Sequence, residues 1–204
     1  MNSIDPAQLT PVDRYRLLIN AIVPRPIAWV TTLEAGGAVN LAPFSFFNGV
    51  TASPPVLSVS IAHRVPEKDT LRLLRATGEA VVHLVPEDHL LAMHGSGAEY
   101  PPGTSEAAAL HVESRPAQRI RGAVLTAAEI AFECRLLQIV PVGEPATQLC
   151  LLEVLQVHVA DTVARPDGLP DPHRLRAVAR LGGESYLTTA GWLVRDVPRV
   201  KRPG

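Results

Sequence analysis

The chain has 204 residues, 47 % hydrophobic and 19 % charged. That is enough apolar content to bury a core, and it excludes a disordered chain. The formal net charge of −1 comes with no basic face, which argues against nucleic acid as a partner, and no apolar run approaches a membrane span of roughly 20 residues.

The N-terminal "MNSIDPAQLT" lacks the apolar centre of a signal peptide. The two cysteines, Cys134 and Cys150, lie in apolar runs without a CxxC pattern. Both features predict a soluble cytoplasmic protein with two buried thiols.

"TPVDRYRLLINAI" predicts a helix capped by Asp13, with Tyr15, Leu18, Ile19 and Ile22 at helical spacing. Pro24 and Pro26 stop it. "IAWVTTL" predicts a strand, "EAGGAV" a turn and "NLA" the start of the return strand of a hairpin. "NLAPFSFFNG", Asn40 to Gly49, holds three of the four phenylalanines. It neither alternates like a strand nor suits a helix. It reads as a loop that plugs a core or walls a flat ligand.

"TASPPVLSVSIA" predicts a strand after the rigid Ser53-Pro54-Pro55. "HRVPEKDTLRLLRATG" predicts a loop and a helix capped by Asp69 or Thr70 and ended by Gly78. "EAVVHLV" predicts a strand, "PEDHLLAMHGSG" a helix begun by Pro86, and "GTSEAAAL" a helical turn. "AEIAFECRLLQIVPVG" and "TQLCLLEVLQVHVADTV" predict two long strands. In the first, Ile130, Phe132, Cys134 and Leu136 share one face, with Ala131, Glu133 and Arg135 on the other. "DPHRLRAVARLGGESYLTTAGW" predicts a turn of helix and a glycine loop, and the terminal "RDVPRVKRPG" a solvated tail.

No repeat or linker interrupts residues 1–204, so a single domain is expected, with a core over about residues 15–190. Many strands without regular strand-helix alternation predict a mainly β (α+β) antiparallel barrel with peripheral helices, not a doubly wound sheet. No GxGxxG follows a strand, the histidines show no HxH or HExxH spacing, and Ser96 lacks a nucleophile elbow. No metal is expected.

The polar residues gather in one span: Arg25, Thr31, Thr32, Asn40, Ser45, Asn48, Arg64, Lys68, Asp69 and Thr70. Arginine, lysine and hydroxyls neutralise and hydrogen-bond phosphate, and "EKDT" opens a helix, where free amides favour an anion. With the aromatic loop nearby, the span suggests a ligand with an anionic end and a flat ring. Turn caps and surface pairs are the plainer alternative for each residue singly.

"RPIAWVTT", "NLAPFSFFNG", "SPP", "KDT", "AEYPPG" and "ARLGGESY", in this order, resemble the flavin reductase-like, FMN-binding split-barrel family, flavoredoxins included. The resemblance runs from about Tyr15 to Tyr186. It implies a Greek-key split barrel, a homodimer, and FMN, with FAD as the alternative, bound near the dimer interface.

By position, Lys68 and Thr70 resemble phosphate ligands, with Ser45, Arg64, Asp69 and Asn48 close by. Arg25 would serve the same end or brace the loop. Thr31 and Thr32 would touch the ring, and Asn40, Leu41 and Ala42 would offer it backbone groups. Phe44, Phe46 and Phe47 would divide between ring wall and dimer packing. Tyr100 and Tyr186 are candidates for the substrate pocket.

The implied activity is reduction of the flavin by NAD(P)H, with electrons passed to free flavin, oxygen or a partner. An electron carrier reduced by a protein partner, and a non-catalytic binding protein, are the alternatives. Two departures stand out. Thr147 takes the place of a histidine that short flavin reductases use toward nicotinamide, and "GTSEAAAL" lacks the aromatic and glycine that follow the glutamate in relatives.

Overall fold

The computed structural model describes residues 1–101 and 103–189. The basic stretch Arg195–Gly204 lies outside them. In chain order the elements are α1 (Pro11–Ala21), β1 (Arg25–Pro26), β2 (Ala28–Leu33), β3 (Val39–Phe44), β4 (Phe47–Ala52), β5 (Pro55–Ile61), α2 (Asp69–Thr77) and β6 (Glu79–Leu84). There follow α3 (Leu90–Gly95), α4 (Glu106–Ala109), β7 (Ser114–Pro116), β8 (Ala123–Leu125), β9 (Ile130–Val142), β10 (Thr147–Val159), β11 (Ala179–Arg180) and β12 (Tyr186–Leu187).

A seven-stranded sheet in the order β3-β2-β6-β9-β10-β5-β4 carries the fold, its strand pairs antiparallel. β3 and β5 stand near opposite ends of that order. Yet Phe44 of β3 shares a buried cluster with Val59 and Ile61 of β5. The sheet therefore curls on itself, as the expected split barrel requires. Leu71 and Leu74 of α2 join the same cluster, so α2 plugs the barrel. A second cluster, built on Trp29, Leu41, Met93, Leu125 and Val178, packs α3, α4 and the late segments on the sheet's other side.

The two long strands predicted here form as β9 and β10, 13 residues each, with breaks of register at Leu151/Leu152 and between Val154 and Gln156. The faces divide as expected, with Phe132, Cys134 and Leu136 in the barrel core and Ala131 and Glu133 on the other side, where Glu133 is nonetheless fully buried. The 117–122 loop covers it, and its carboxylate accepts Gln118 N at 2.7 Å, Arg119 N at 2.6 Å and His158 Nε2 at 2.7 Å. A buried carboxylate needs such partners to stay ionised.

"NLAPFSFFNG" is not a loop. It is strand, bend and strand, and the proline misled the sequence reading. β3 is an edge strand, where proline breaks no ladder bond. Leu41 N points away from the sheet to Glu106 Oε2 at 2.9 Å, and Pro43, two residues on, shares that outward orientation. The Ser105 hydroxyl donates to Val39 O at 2.7 Å. Side chains at the start of α4 thus satisfy an edge that would otherwise be bare.

Two caps also differ from expectation. Thr10, not Asp13, caps α1 by accepting Asp13 N at 3.2 Å. Lys68 occupies the cap position of α2, with no side-chain bond to the helix start. Gly78, at φ +70°, ends α2 as expected. The segment at 171–176 forms turns rather than helix.

The stripe on α1 has helical spacing but faces outward. Only Ile19 is buried, while Tyr15, Leu18 and Ile22 keep 57 %, 48 % and 55 % of their surface.

Candidate functional site

Two adjoining clefts open where β3, the loop before α2 and the segment after α3 meet. Asn40, Ala42, Pro43, Phe44, Arg64, Lys68, Asp69, Thr70, Tyr100 and Glu106 line the first. Tyr15, Ser45, Phe46, Ser60 and Thr147 line the second, with Pro43, Phe44 and Lys68 common to both. The first is polar and carries both signs of charge, with Arg64 and Lys68 beside Asp69, Glu99 and Glu106; the second is walled by aromatic rings.

The corner of the first cleft at Lys68 and the start of α2 suits an anion. Burial, and then the neighbouring Arg64, push the Lys68 ammonium below its ordinary value. Among the described residues Lys68 has no ion-pair partner; its Nζ sits 5.5 Å from the Phe44 ring centre. The uncapped first turn of α2 leaves N–H groups beside it. Asn40 Nδ2 donates to Thr32 Oγ1 at 2.9 Å and Thr70 Oγ1 at 3.0 Å. Thr70 is thereby held by an incoming bond, and its own hydroxyl proton has no acceptor among the described residues.

Glu106 forms part of the floor, and sequence reasoning missed it. Burial pushes its carboxyl up, against the bond from Leu41 N that holds it down. Ser96 and Gly97 were missed as well. The Ser96 hydroxyl accepts Trp29 Nε1 at 2.9 Å and donates to Met93 O at 2.8 Å, tying this wall to β2. A Cβ on Gly97 would stand 3.3 Å from Pro43 Cγ, so the walls meet closely there. The signal for these residues lay in "HGSGAEYPPG", whose place beside β3 depends on long-range packing.

The structure thus brings Asn40, Ala42, Arg64, Lys68, Asp69, Thr70 and Tyr100 to one cleft and Ser45 and Phe46 to the next. Tyr100 also donates weakly to Gly95 O at 3.5 Å.

The structure places the other sequence-predicted residues outside the linings of both clefts. Thr31 is buried, and its hydroxyl donates to Ala123 O at 2.6 Å, away from both clefts. Thr32 is buried and reaches the first cleft only through Asn40. Leu41 has no exposed surface, and its N–H is taken by Glu106.

Arg25 braces, the second of the two roles expected of it. It donates to Ile19 O at 2.6 Å, Ile22 O at 2.5 Å and Leu181 O at 2.9 Å, linking the end of α1 to the late loop. Asn48 lies in an outer groove with Leu18, Ile22, Phe46 and Phe47, its Oδ1 accepting Gly49 N at 2.8 Å. Tyr186 lines neither cleft. Its hydroxyl meets Arg180 and, at 2.8 Å, His94 Nδ1.

The three phenylalanines divide by role. Phe44 belongs to the barrel core and walls both clefts. Phe47 packs partly on the core. Phe46 is 37 % exposed, between Tyr15 and Arg25.

Comparison with known proteins agrees with this architecture. An uncharacterized protein of Halalkalibacterium halodurans is 38 % identical over 190 residues, 90 % of each chain. The crystal structure of nitrilotriacetate monooxygenase component B from Bacillus cereus superposes with a TM-score of 0.89 at 34 % identity, covering 98 % of both chains. That of a Pseudomonas fluorescens 2-nitrobenzoate 2-nitroreductase gives 0.87 at 28 % identity, covering 97 % of this chain and 96 % of the other. Residues 20–177 match the family described as flavin reductase like domain, and the chain belongs to that family.

Proposed function

We propose that the protein is an FMN-binding oxidoreductase in which NAD(P)H reduces the flavin and the electrons pass to a further acceptor. One observation carries the reading. A partly desolvated lysine with no ion-pair partner among the described residues, a second cation and an uncapped helix start all face one cleft, which adjoins an aromatic-walled one.

The residues present fit FMN. Lys68, Thr70 and the first-turn amides of α2 would hold the phosphate, with Arg64 beside them. Phe44 and Phe46 would border the ring, and Asn40 Oδ1 and the Ala42 backbone would meet its polar edge. Bound there, the flavin itself supplies the hydride and electron chemistry. The protein's part is to position the ring, neutralise its tail and shed water from one face.

A second reading, a carrier reduced by a protein partner, is favoured by Thr147. It puts a hydroxyl on the second cleft where short flavin reductases place an imidazole. Anaerobic mixing of the FMN-loaded protein with NADH or NADPH separates the two. Prompt bleaching of the visible flavin band supports the reductase. Bleaching only with a reductase protein supports the carrier, and failure to bind FMN at all refutes both.

The outer groove supports a homodimer. Leu18, Ile22, Pro24, Pro26 and Phe46 line it, and Val50 nearby is 54 % exposed. Contiguous apolar surface of this kind marks an interface. Ser45 and Phe46 border both the groove and the second cleft, so a second copy seated on the groove would extend the cleft wall. Leu18→Glu with Ile22→Glu should raise the dimer dissociation constant at least ~100-fold, since burying unpaired carboxylates costs several kcal/mol. Sedimentation of wild type and variant checks this; identical dimers in both refute it.

A further inference from the structure

The two cations of the first cleft are not equivalent. Lys68 has no ion-pair partner among the described residues. Arg64 Nη1 donates to Glu99 Oε1 at 3.1 Å. These partners come from opposite walls: Arg64 from the loop between β5 and α2, Glu99 from the segment after α3. Both line the cleft, so the pair spans its mouth.

The pair is exposed, with 36 % of the Arg64 side chain and 78 % of the Glu99 side chain open to solvent. Screened pairs of this kind are weak and exchange partners readily. Arg64 also lies close enough to Lys68 for each charge to oppose the other. In the free chain Glu99 offsets that repulsion. A phosphate dianion between the cations would do so better, because its oxygens match the guanidinium fork and carry more charge.

We infer that Glu99 is an internal competitor for the phosphate site. It holds Arg64 away from an incoming phosphorylated ligand and so sets how tightly that ligand is kept. Binding transfers Arg64 from Glu99 to the phosphate, and release returns it. The consequence is a flavin that exchanges rather than one held permanently, which suits a protein that hands reduced flavin onward. This inference rests on the flavin reading proposed above.

Fluorescence titration of the full chain with FMN and with riboflavin, which lacks the phosphate, tests it. Glu99→Gln removes the competing charge and keeps the side chain's size. It should tighten FMN about two- to fivefold, the range expected from losing one exposed ion pair. Riboflavin affinity should not change. In an Arg64→Ala background the Glu99→Gln gain should vanish.

Unchanged or weaker FMN binding by Glu99→Gln overturns the inference. So does an equal gain for riboflavin, or a gain that survives without Arg64, since either shows that Glu99 acts by shape or by direct repulsion. A wild-type chain that binds FMN while the variants behave in those ways leaves the flavin reading standing. A wild-type chain that binds neither ligand overturns that reading as well. Glu99→Ala, with the same expected direction, guards against an effect peculiar to the amide.

Discussion

Lys68→Ala should weaken FMN binding by about ten- to a hundredfold, as a charge-assisted hydrogen bond contributes roughly 1.5–3 kcal/mol. Lys68 borders both clefts, as do Pro43 and Phe44. Its ammonium has already lost part of its hydration, so an arriving phosphate has less water to displace there. The lysine stem passes the Phe44 ring, so alanine also removes packing there. Lys68→Met keeps most of that packing and removes only the charge. The affinity loss should therefore be nearly as large for methionine as for alanine. Riboflavin should bind the wild type and Lys68→Met alike. Fluorescence quenching measures each constant. An FMN constant that Lys68→Met leaves unchanged would place the phosphate elsewhere.

The barrel strands were legible because their information is local. β9 opens with an alternating run from Ile130 to Leu136, β10 is a long β-rich run, and Gly78 supplies the left-handed residue that ends α2. What sequence spacing could not convey was which neighbour covers each face. α1 has a correct apolar period, yet the stripe of Tyr15, Leu18 and Ile22 points outward. Spacing put Glu133 on the correct face but could not show that the 117–122 loop and His158 bury it there. Pro43 disguised β3, because a proline is tolerated on an edge strand and edge position is a property of the whole sheet.

The site shows the same division. That Lys68 and Thr70 stand at a helix start could be anticipated; the cleft they line could not. Thr31 could not be excluded, because its inward-facing hydroxyl finds the Ala123 carbonyl 92 positions away. Glu106 and Glu99 gain their chemistry only when the segments after α3 come against β3 and the loop before α2. Both carboxylates oppose an anion, and a search for phosphate ligands passes over them.

Acidification should destabilise the fold through His83. This imidazole has no exposed surface. Its Nε2 accepts Leu125 N at 3.0 Å, so the ring is neutral and its Nδ1–H donates to Trp29 O at 2.8 Å. Burial pushes its pKa from 6.5 down to about 4, with His158 and Arg115 adding to the fall against the Trp29 bond. The unfolded chain then binds the proton first as pH drops below 6.5. Stability is full above that value and declines until the folded ring titrates near 4.

The loss between pH 7 and pH 5 should be about 2 kcal/mol, because each tenfold rise in proton activity below pH 6.5 favours the unfolded chain by about 1.4 kcal/mol. Glu133, whose carboxyl is held low, titrates below this window and adds nothing within it. Glu106 opposes the trend. Its carboxyl is raised by burial, so the folded chain takes up its proton more readily than the unfolded one, and stability rises slightly with acid. Urea unfolding at a series of pH values reads the net slope, and His83→Gln isolates the histidine's share. The variant should be weaker at pH 7, because an amide cannot meet both backbone partners, yet its stability should hardly fall toward pH 5. A wild-type slope that survives in His83→Gln would assign the acid sensitivity to another group.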